Sequence, residues 1–465
     1  MKTGRIICAI IVIAIIISLI AVIKKYNDKS SDVIEGTDKT PAITVDKKTD
    51  FLMAKAEYPE MAQYPDGKLQ FTDNEAFKKA YEEWVNSRNS IPDPPEGYDD
   101  GIAGYLQRTT KSFLMGETKN NVIYSPACLF MAMAVSAEIT DGRSREQILK
   151  LLGENGIKEL RENSKALWEK NYQDDGMTKE IIGSSLWLNS SKAYEKDTIG
   201  YIAKNYYSSV YSGDPGSADY EKCMQEWMNE HTDGLLKEYI SNIRMNPEML
   251  LSIVSAVSFS GKWKNSFLKE NTKEGVFHAY AKDITCDFMN CENNNYFRGD
   301  GFSSLSLNME GNCKMITILP DESISCDDLI KSDEILDFVM GKMEYPEHSV
   351  KAYVSIPKFD ISSDMDLCEG LKSLGITDIF DASLSDFSPL TKEENIILSK
   401  AEQAARVMID EEGCRASALT HMLIVGDYEN DDEPFYYTLD RPFIFSIVGE
   451  SCLPLFIGIV NNPGV

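Results

Sequence analysis

Four histidines (His231, His278, His348 and His421) and ten cysteines are the side chains of this chain best suited to nucleophilic, acid–base or metal chemistry. Their spacing points to none of these. No Gly-x-Ser-x-Gly elbow occurs, and no matching His or Cys pair follows Cys286 and Cys291, so neither a serine hydrolase nor a metal cluster is indicated. The pattern that does carry chemistry is one of backbone pairing, and it lies in Glu411, Glu412, Gly413, Cys414, Arg415, Ala416, Ser417, Ala418, Leu419 and Thr420. Alternate side chains of a strand point to opposite faces. Cys414, Ala416, Ala418 and Thr420 are all small, while Arg415, Ser417, Leu419 and His421 are mixed and partly polar. This is a strand with one face ready for burial, and Gly413 supplies a sterically open backbone where it would turn into a sheet.

The elements on either side must present that stretch. Ile396 to Ile409 reads mostly as strand, and Arg441 to Val448 reads as buried strand, so the connection, with its tether His421 to Tyr437, is a long loop. Long loops in compact domains are usually functional or disordered. Upstream, Gly101 to Leu114 has helical spacing, and Ser125 with Pro126 forms an N-cap and first helical residue. Ser144 to Gln147 reads as a capping box, with Gly153 closing that helix. Ile181 to Asn189 is predicted as strand and Lys196 to Tyr207 as helix. Leu250 to Trp263 reads as a central strand buried on both faces. Cys313 to Leu319 and Val350 to Ile361 follow as strands, then Asp366 to Leu374 as a helix stopped by Gly375.

Glu411-Glu-Gly-Cys-Arg-Ala-Ser-Ala-Leu-Thr420 resembles the hinge of the serpins, protease inhibitors that insert a cleaved reactive loop into a sheet. Asn121-Val-Ile-Tyr-Ser-Pro-Ala-Cys128, Trp227 to Leu235, Gly261-Lys-Trp263 with Phe267, Leu371 to Ile376 with Ala382 to Phe387, and Leu455 to Pro463 are similar to further serpin segments, in the same order. The resemblance covers Gly101 to Pro463. It implies an α+β serpin fold, with helices packed on three β-sheets and an exposed reactive-centre loop. It also implies that Asn121, Ser125, Cys128 and Gln403 form a "shutter" beneath the opening sheet, and that Trp263 lies at the "breach" where the loop enters. Cys128 stands where the family has Ser, Ser255 where it has Asn, and Gln403 where it has His, so the shutter lacks a titrating imidazole. Family spacing places the scissile bond between Asp427 and Tyr428.

The implied activity is suicide inhibition of a serine or cysteine endopeptidase through a covalent complex, with no cofactor or metal and a monomeric inhibitor. A protease accepting Asp427 needs a cationic pocket, as acidic-residue-specific serine proteases and caspase-like enzymes have; one recognising Tyr428 would be chymotrypsin-like. The rival reading is a non-inhibitory binder or surface protein of the same fold, suggested by Gln403, Cys128 and the bulky Leu419.

Composition is compatible with either. A chain of 465 residues with 43% hydrophobic content can bury a large core, and a net charge of −27 disfavours a nucleic-acid partner. Ile6 to Ile23 is an apolar run flanked by Lys2, Arg5 and Lys24-Lys25, without a convincing cleavage site, and reads as a signal anchor with the remainder exported. A cleaved signal peptide is the alternative, which would leave the protein secreted. The expected organisation is therefore anchor 1–25, polar spacer 26–50, an extension 51–100 holding a short helix over Asn74 to Val85, and the main domain 101–465. The cysteines are expected to be mostly free buried thiols.

Overall fold

Lys47–Val465 forms one compact unit. The computed structural model describes residues 48–116, 119–345, 347–399, 401–414 and 434–464, with the backbone alone over 48–49, 294 and 347–351. The apolar run at Ile6 to Ile23, the hinge residues Arg415 to Thr420, and Asp427 and Tyr428 lie outside the described residues.

Along the chain come β1 (Leu52–Ala54), α1 (Asn74–Asn89), α2 (Tyr98–Leu114), β2 (Val122–Tyr124), α3 (Pro126–Glu138), α4 (Gly142–Leu152) and α5 (Ile157–Asn171). They are followed by β3 (Gln173–Asp174), β4 (Lys179–Asn189), α6 (Lys196–Asn205), β5 (Ser208–Gly213), α7 (Ala218–Glu230) and β6 (Leu251–Lys262). Strands dominate the second half: β7 (Lys273–His278), β8 (Asp283–Arg298), β9 (Phe302–Asn308), β10 (Lys314–Pro320), β11 (Glu347–Pro357) and β12 (Phe359–Asp366). Last come β13 (Glu402–Asp410), β14 (Gly413–Cys414), β15 (Phe435–Thr438), β16 (Phe443–Val448) and β17 (Pro454–Val460).

The first sheet has the order β1-β5-β4-β6-β14-β13-β12, with β3 on β4. The second ladder runs β15-β11-β8-β9-β10-β16-β17-β2, with β7 on β8. The long β8 pairs with β7 and β11 along its length but with β9 only through Tyr296 to Arg298, so this ladder is two sheets sharing one strand. The expected α+β fold with three sheets is therefore present. Helix α3 sits at its centre. Its sequence PACLFMAMAVSAE is apolar on all sides, and a helix of that kind is stable only when surrounded; all but one of its residues are buried.

Two expected local features resolve differently. Helix α4 begins at Gly142 after Asp141, so Ser144 is not its cap. Instead the Ser144 hydroxyl accepts from the Asp386 amide at 3.1 Å, and the Gln147 side chain holds the Thr377–Asp378 turn; the same residue types are spent on tertiary bonds. Val350 to Ile361 is two strands, not one. The chain leaves one sheet at Pro357 and joins the other at Phe359, and between them the Lys358 amide donates to the Asp287 carbonyl.

The extension 51–100 belongs to the same compact unit as the main domain. β1 pairs antiparallel with the outer edge of β5, and Tyr58 packs its ring against Trp168, Tyr172 and Tyr207. From α1, Trp84 Nε1 donates to Asp175 at 2.9 Å, and Arg88 reaches both the Tyr172 carbonyl and Glu450 at 3.1 Å. An edge strand presents unpaired backbone, and β1 covers it here.

Candidate functional site

The site is the gap between β6 and β13. Strand β13 ends in the Asp410–Glu411–Glu412 turn, and the chain returns as β14, which pairs with β13 through Ile409–Cys414 and Asp410–Gly413. On its other side β14 pairs with β6, Gly413 opposite Lys262 and Cys414 opposite Gly261. The hinge residues Gly413 and Cys414 are thus already a strand of the sheet. Beyond Cys414, no described strand pairs with the facing edges of β6 and β13. Gly413 is obligatory: its φ is +142°, and a Cβ there would lie 2.3 Å from the Gly261 carbonyl oxygen. The Cys414 side chain is buried.

The turn is held from several directions. Trp263, at the end of β6, donates its indole N–H to the Asp410 carbonyl at 2.8 Å, its amide bonds the Glu412 carbonyl, and the Phe267 amide bonds the Glu411 carbonyl. Trp263 thus clamps the turn that leads into β14. Glu411 accepts from Thr272 at 2.8 Å and pairs with Lys358, while Glu412 meets Lys269 at 2.9 Å. Burial acts to raise the Glu411 carboxyl, but its own backbone N–H, Thr272 and Lys358 outweigh burial and hold it below its ordinary range.

Farther down the gap, Gln403 on β13 is buried at 6% exposure. Its amide group accepts from the Ser125 N–H and donates to the Ser125 carbonyl at 3.0 Å, so one side chain satisfies both backbone groups at the start of α3. Ser125 in turn caps α3 through the Cys128 amide at 3.2 Å. Burial pushes the Cys128 thiol up to about 12, leaving it a small apolar residue at neutral pH. Asn121 does not join this group. It sits at the opposite end of β2, where its side chain takes the amides of Asn461 and Asn462 and donates to the Asn462 carbonyl, tying down the chain after β17. Ser255, on β6, has a buried hydroxyl without a partner among the described residues.

A second feature was not legible in the sequence. The linker after α7 crosses the gap: Asp233 takes Lys179 of β4 at 2.6 Å and the Ser258 hydroxyl of β6, while the Leu235 carbonyl takes Arg406 of β13 at 2.8 Å. Tyr239 continues the bridge to Asp364 of β12 at 2.9 Å. A strand lengthening between β6 and β13 has to pass this latch. Nothing in the spacing of Asp233, Leu235 and Tyr239 names partners 25 to 171 residues away.

Beside the top of the gap, Glu180 on β4 is fully buried, with the Cys313 thiol donating to one oxygen at 3.2 Å and no partner on the other among the described residues. Burial raises its pKa to about 8, against smaller lowering effects from Cys313 and Arg88. The folded state therefore keeps a proton that the unfolded chain, with a value of 4.5, releases. Stability is expected to be full below the unfolded value and to fall as pH rises towards about 8, on the order of a few kcal/mol in all. Urea midpoints at pH 5 and pH 8 check this. Glu180→Gln should flatten the slope.

Described cysteines are all free thiols, five of them buried. No group of three or more potential metal ligands occurs among the described residues. No described helix is long and apolar enough to cross a membrane.

A fold of helices on three sheets, with a partly seated hinge strand in the first, defines a serpin. A family model described as "Serpin (serine protease inhibitor)" matches residues 106–463, and the chain belongs to that family. It is 26% identical to a serine proteinase inhibitor of Cavia porcellus, over 74% of this chain and 84% of that protein. Glia-derived nexin of Rattus norvegicus is also 26% identical, over 81% and 94%. Among solved structures, the thermophilic serpin tengpin in its native state superposes with a TM-score of 0.71 at 25% identity, covering 80% of this chain and 96% of that one. An Arabidopsis serpin in its native stressed conformation gives 0.69 at 22% identity, covering 79% and 99%.

Proposed function

We propose that this serpin is an extracellular inhibitor that traps an endopeptidase by inserting its cleaved loop between β6 and β13. The observation that carries this reading is β14: a two-residue strand lying between both edges of the gap, in register with each. Extending those two registers would set Ala416 between Val407 and Phe259, Ala418 between Ala405 and Val257, and Thr420 between Gln403 and Ser255. Val407, Ala405 and Gln403 are all buried, so the small residues would face the interior and a threonine hydroxyl would reach the unpartnered Ser255 oxygen. The protease attacks the bond between Asp427 and Tyr428 and becomes an acyl-enzyme. The thirteen residues from Arg415 to Asp427, laid down as new strand beyond Cys414, would then carry the ester about 43 Å, across the domain.

The run Ile6 to Ile23 anchors the inhibitor to the outer face of the membrane, or is removed to release it; the inhibitor acts as a monomer. Incubating the full chain with acidic-residue-specific, caspase-like and chymotrypsin-like proteases tests the mechanism. A complex surviving denaturation, with a released peptide beginning at Tyr428, is the expected result. Cleavage without any such complex favours the non-inhibitory reading, to which Gln403 and the bulky Leu419 lend support.

A further inference from the structure

Away from the gap, a cavity of about 550 Å³ opens between the turn after β10, residues 440–442 on the way from β15 into β16, the end of β17, and Tyr280 just beyond β7. Its walls are tied together. Arg441 donates to the Pro320 carbonyl through Nε at 3.2 Å and Nη2 at 2.9 Å, and to Asp440 through Nη1 at 2.9 Å. Ile324 is seated against Gly301, where φ is +83° and a Cβ would come within 2.5 Å of the Ile324 Cδ1. Pro320, Ile324, Pro442 and Ile459 give the cavity an apolar lining.

The acids around it are of two kinds. Asp321 is matched by Arg298 at 2.6 and 2.9 Å, and Asp440 by Arg441. Glu322 is exposed and Asp327 accepts the Gly116 amide at 3.0 Å, and neither forms an ion pair among the described residues. Two carboxylates are therefore left unmatched beside apolar walls.

We infer that this cavity binds a small organic cation, a protonated amine or quaternary ammonium carried on an apolar body. Its size falls within the range of small-molecule sites, about 300 to 1,000 Å³. The apolar lining rewards a hydrocarbon or aromatic body, which a bare hydrophilic ion lacks. The unmatched carboxylates reward a positive charge and repel an anion. Tyr280, 67% exposed, adds a ring face for that charge, and it already takes an ammonium from the chain itself: Lys119 Nζ stands 5.9 Å from its centroid. The cavity shares no residue with the gap between β6 and β13, so it stands apart from the inhibitory reading.

Isothermal titration of the full chain with 2-phenylethylamine, 2-phenylethanol and phenylacetate tests the inference, because the three share an aromatic body and differ in charge. The amine should bind in the millimolar range or tighter, the alcohol at least about tenfold more weakly, and the acid not at all. Glu322→Gln/Asp327→Asn should weaken the amine about tenfold and leave the alcohol unchanged. Tyr280→Ala should weaken the amine severalfold, whereas Tyr280→Phe, which keeps the ring face, should retain it. Absence of amine binding to the parent overturns the site, as does equal binding of all three probes. Amine affinity unchanged in both the carboxylate variant and Tyr280→Ala overturns it too, since binding then lies elsewhere.

Discussion

Replacing Cys414 by arginine is expected to convert the inhibitor into a substrate: the loop is still cut, but almost no covalent complex forms. Cys414 is buried at 4% exposure, in register with Gly261 and Ile409. A guanidinium there has no carboxylate among those facing residues, and an unpaired buried charge costs several kcal/mol. Because Cys414 already lies in the sheet, an arginine there would hold the hinge out of it in the intact inhibitor, so burying the charge becomes part of insertion. Insertion competes with hydrolysis of the acyl-enzyme, and each 1.4 kcal/mol added to its barrier slows it about tenfold. A penalty of this size therefore shifts the outcome almost wholly to hydrolysis. Band intensities of complex and cleaved inhibitor on a denaturing gel measure it. Cys414→Ser, small and uncharged, should retain most of the trapping. If the arginine variant traps as fast and as completely as the parent, trapping does not proceed by lengthening β14 between β6 and β13.

Cleaving the loop without a target protease should raise the midpoint of thermal unfolding by on the order of 10 °C or more. Each inserted residue adds backbone hydrogen bonds worth about 1 kcal/mol net, and a strand of about thirteen residues gives a gain large compared with ordinary mutational effects. The facing edges of β6 and β13 below Cys414, which no described strand pairs, would acquire partners, as would the Ser255 hydroxyl. The latch of Asp233, Leu235 and Tyr239 has to open for this to happen, so the transition should be slow to start and irreversible once made. Scanning calorimetry of intact and nicked protein decides the point. Equal midpoints would identify a serpin that has kept the fold and lost the transition.

Local structure was largely legible from residue types. Ser125 followed by Pro126 starts α3 because an N-cap hydroxyl and a fixed φ are needed there, and the structure uses both. Ser144 and Gln147 show where that reasoning ends: their spacing fits a capping box, yet they bond a turn more than 200 residues away. The same holds for Asn121, which lies close to Ser125 in sequence but serves the C-terminal strand. How the extension 51–100 packs was not legible in the sequence, because its anchoring contacts, Tyr58 on Trp168 and Trp84 on Asp175, pair residues about a hundred positions apart.

In the sequence, a glycine-led run of alternating small residues has the pattern of a strand with one face ready for burial, since strand periodicity and side-chain size are local properties. By itself, the sequence also determined the order of segments that marks a serpin. Tertiary structure alone decided that Gly413 and Cys414 already occupy the sheet, that Trp263 clamps the turn before them, and that Gln403 secures the start of α3. The reason is physical: the gap is made by two strands, 251–262 and 402–410, whose register is set by neighbours on their far sides. A periodic pattern says which face of a strand is buried but not which strand it will meet.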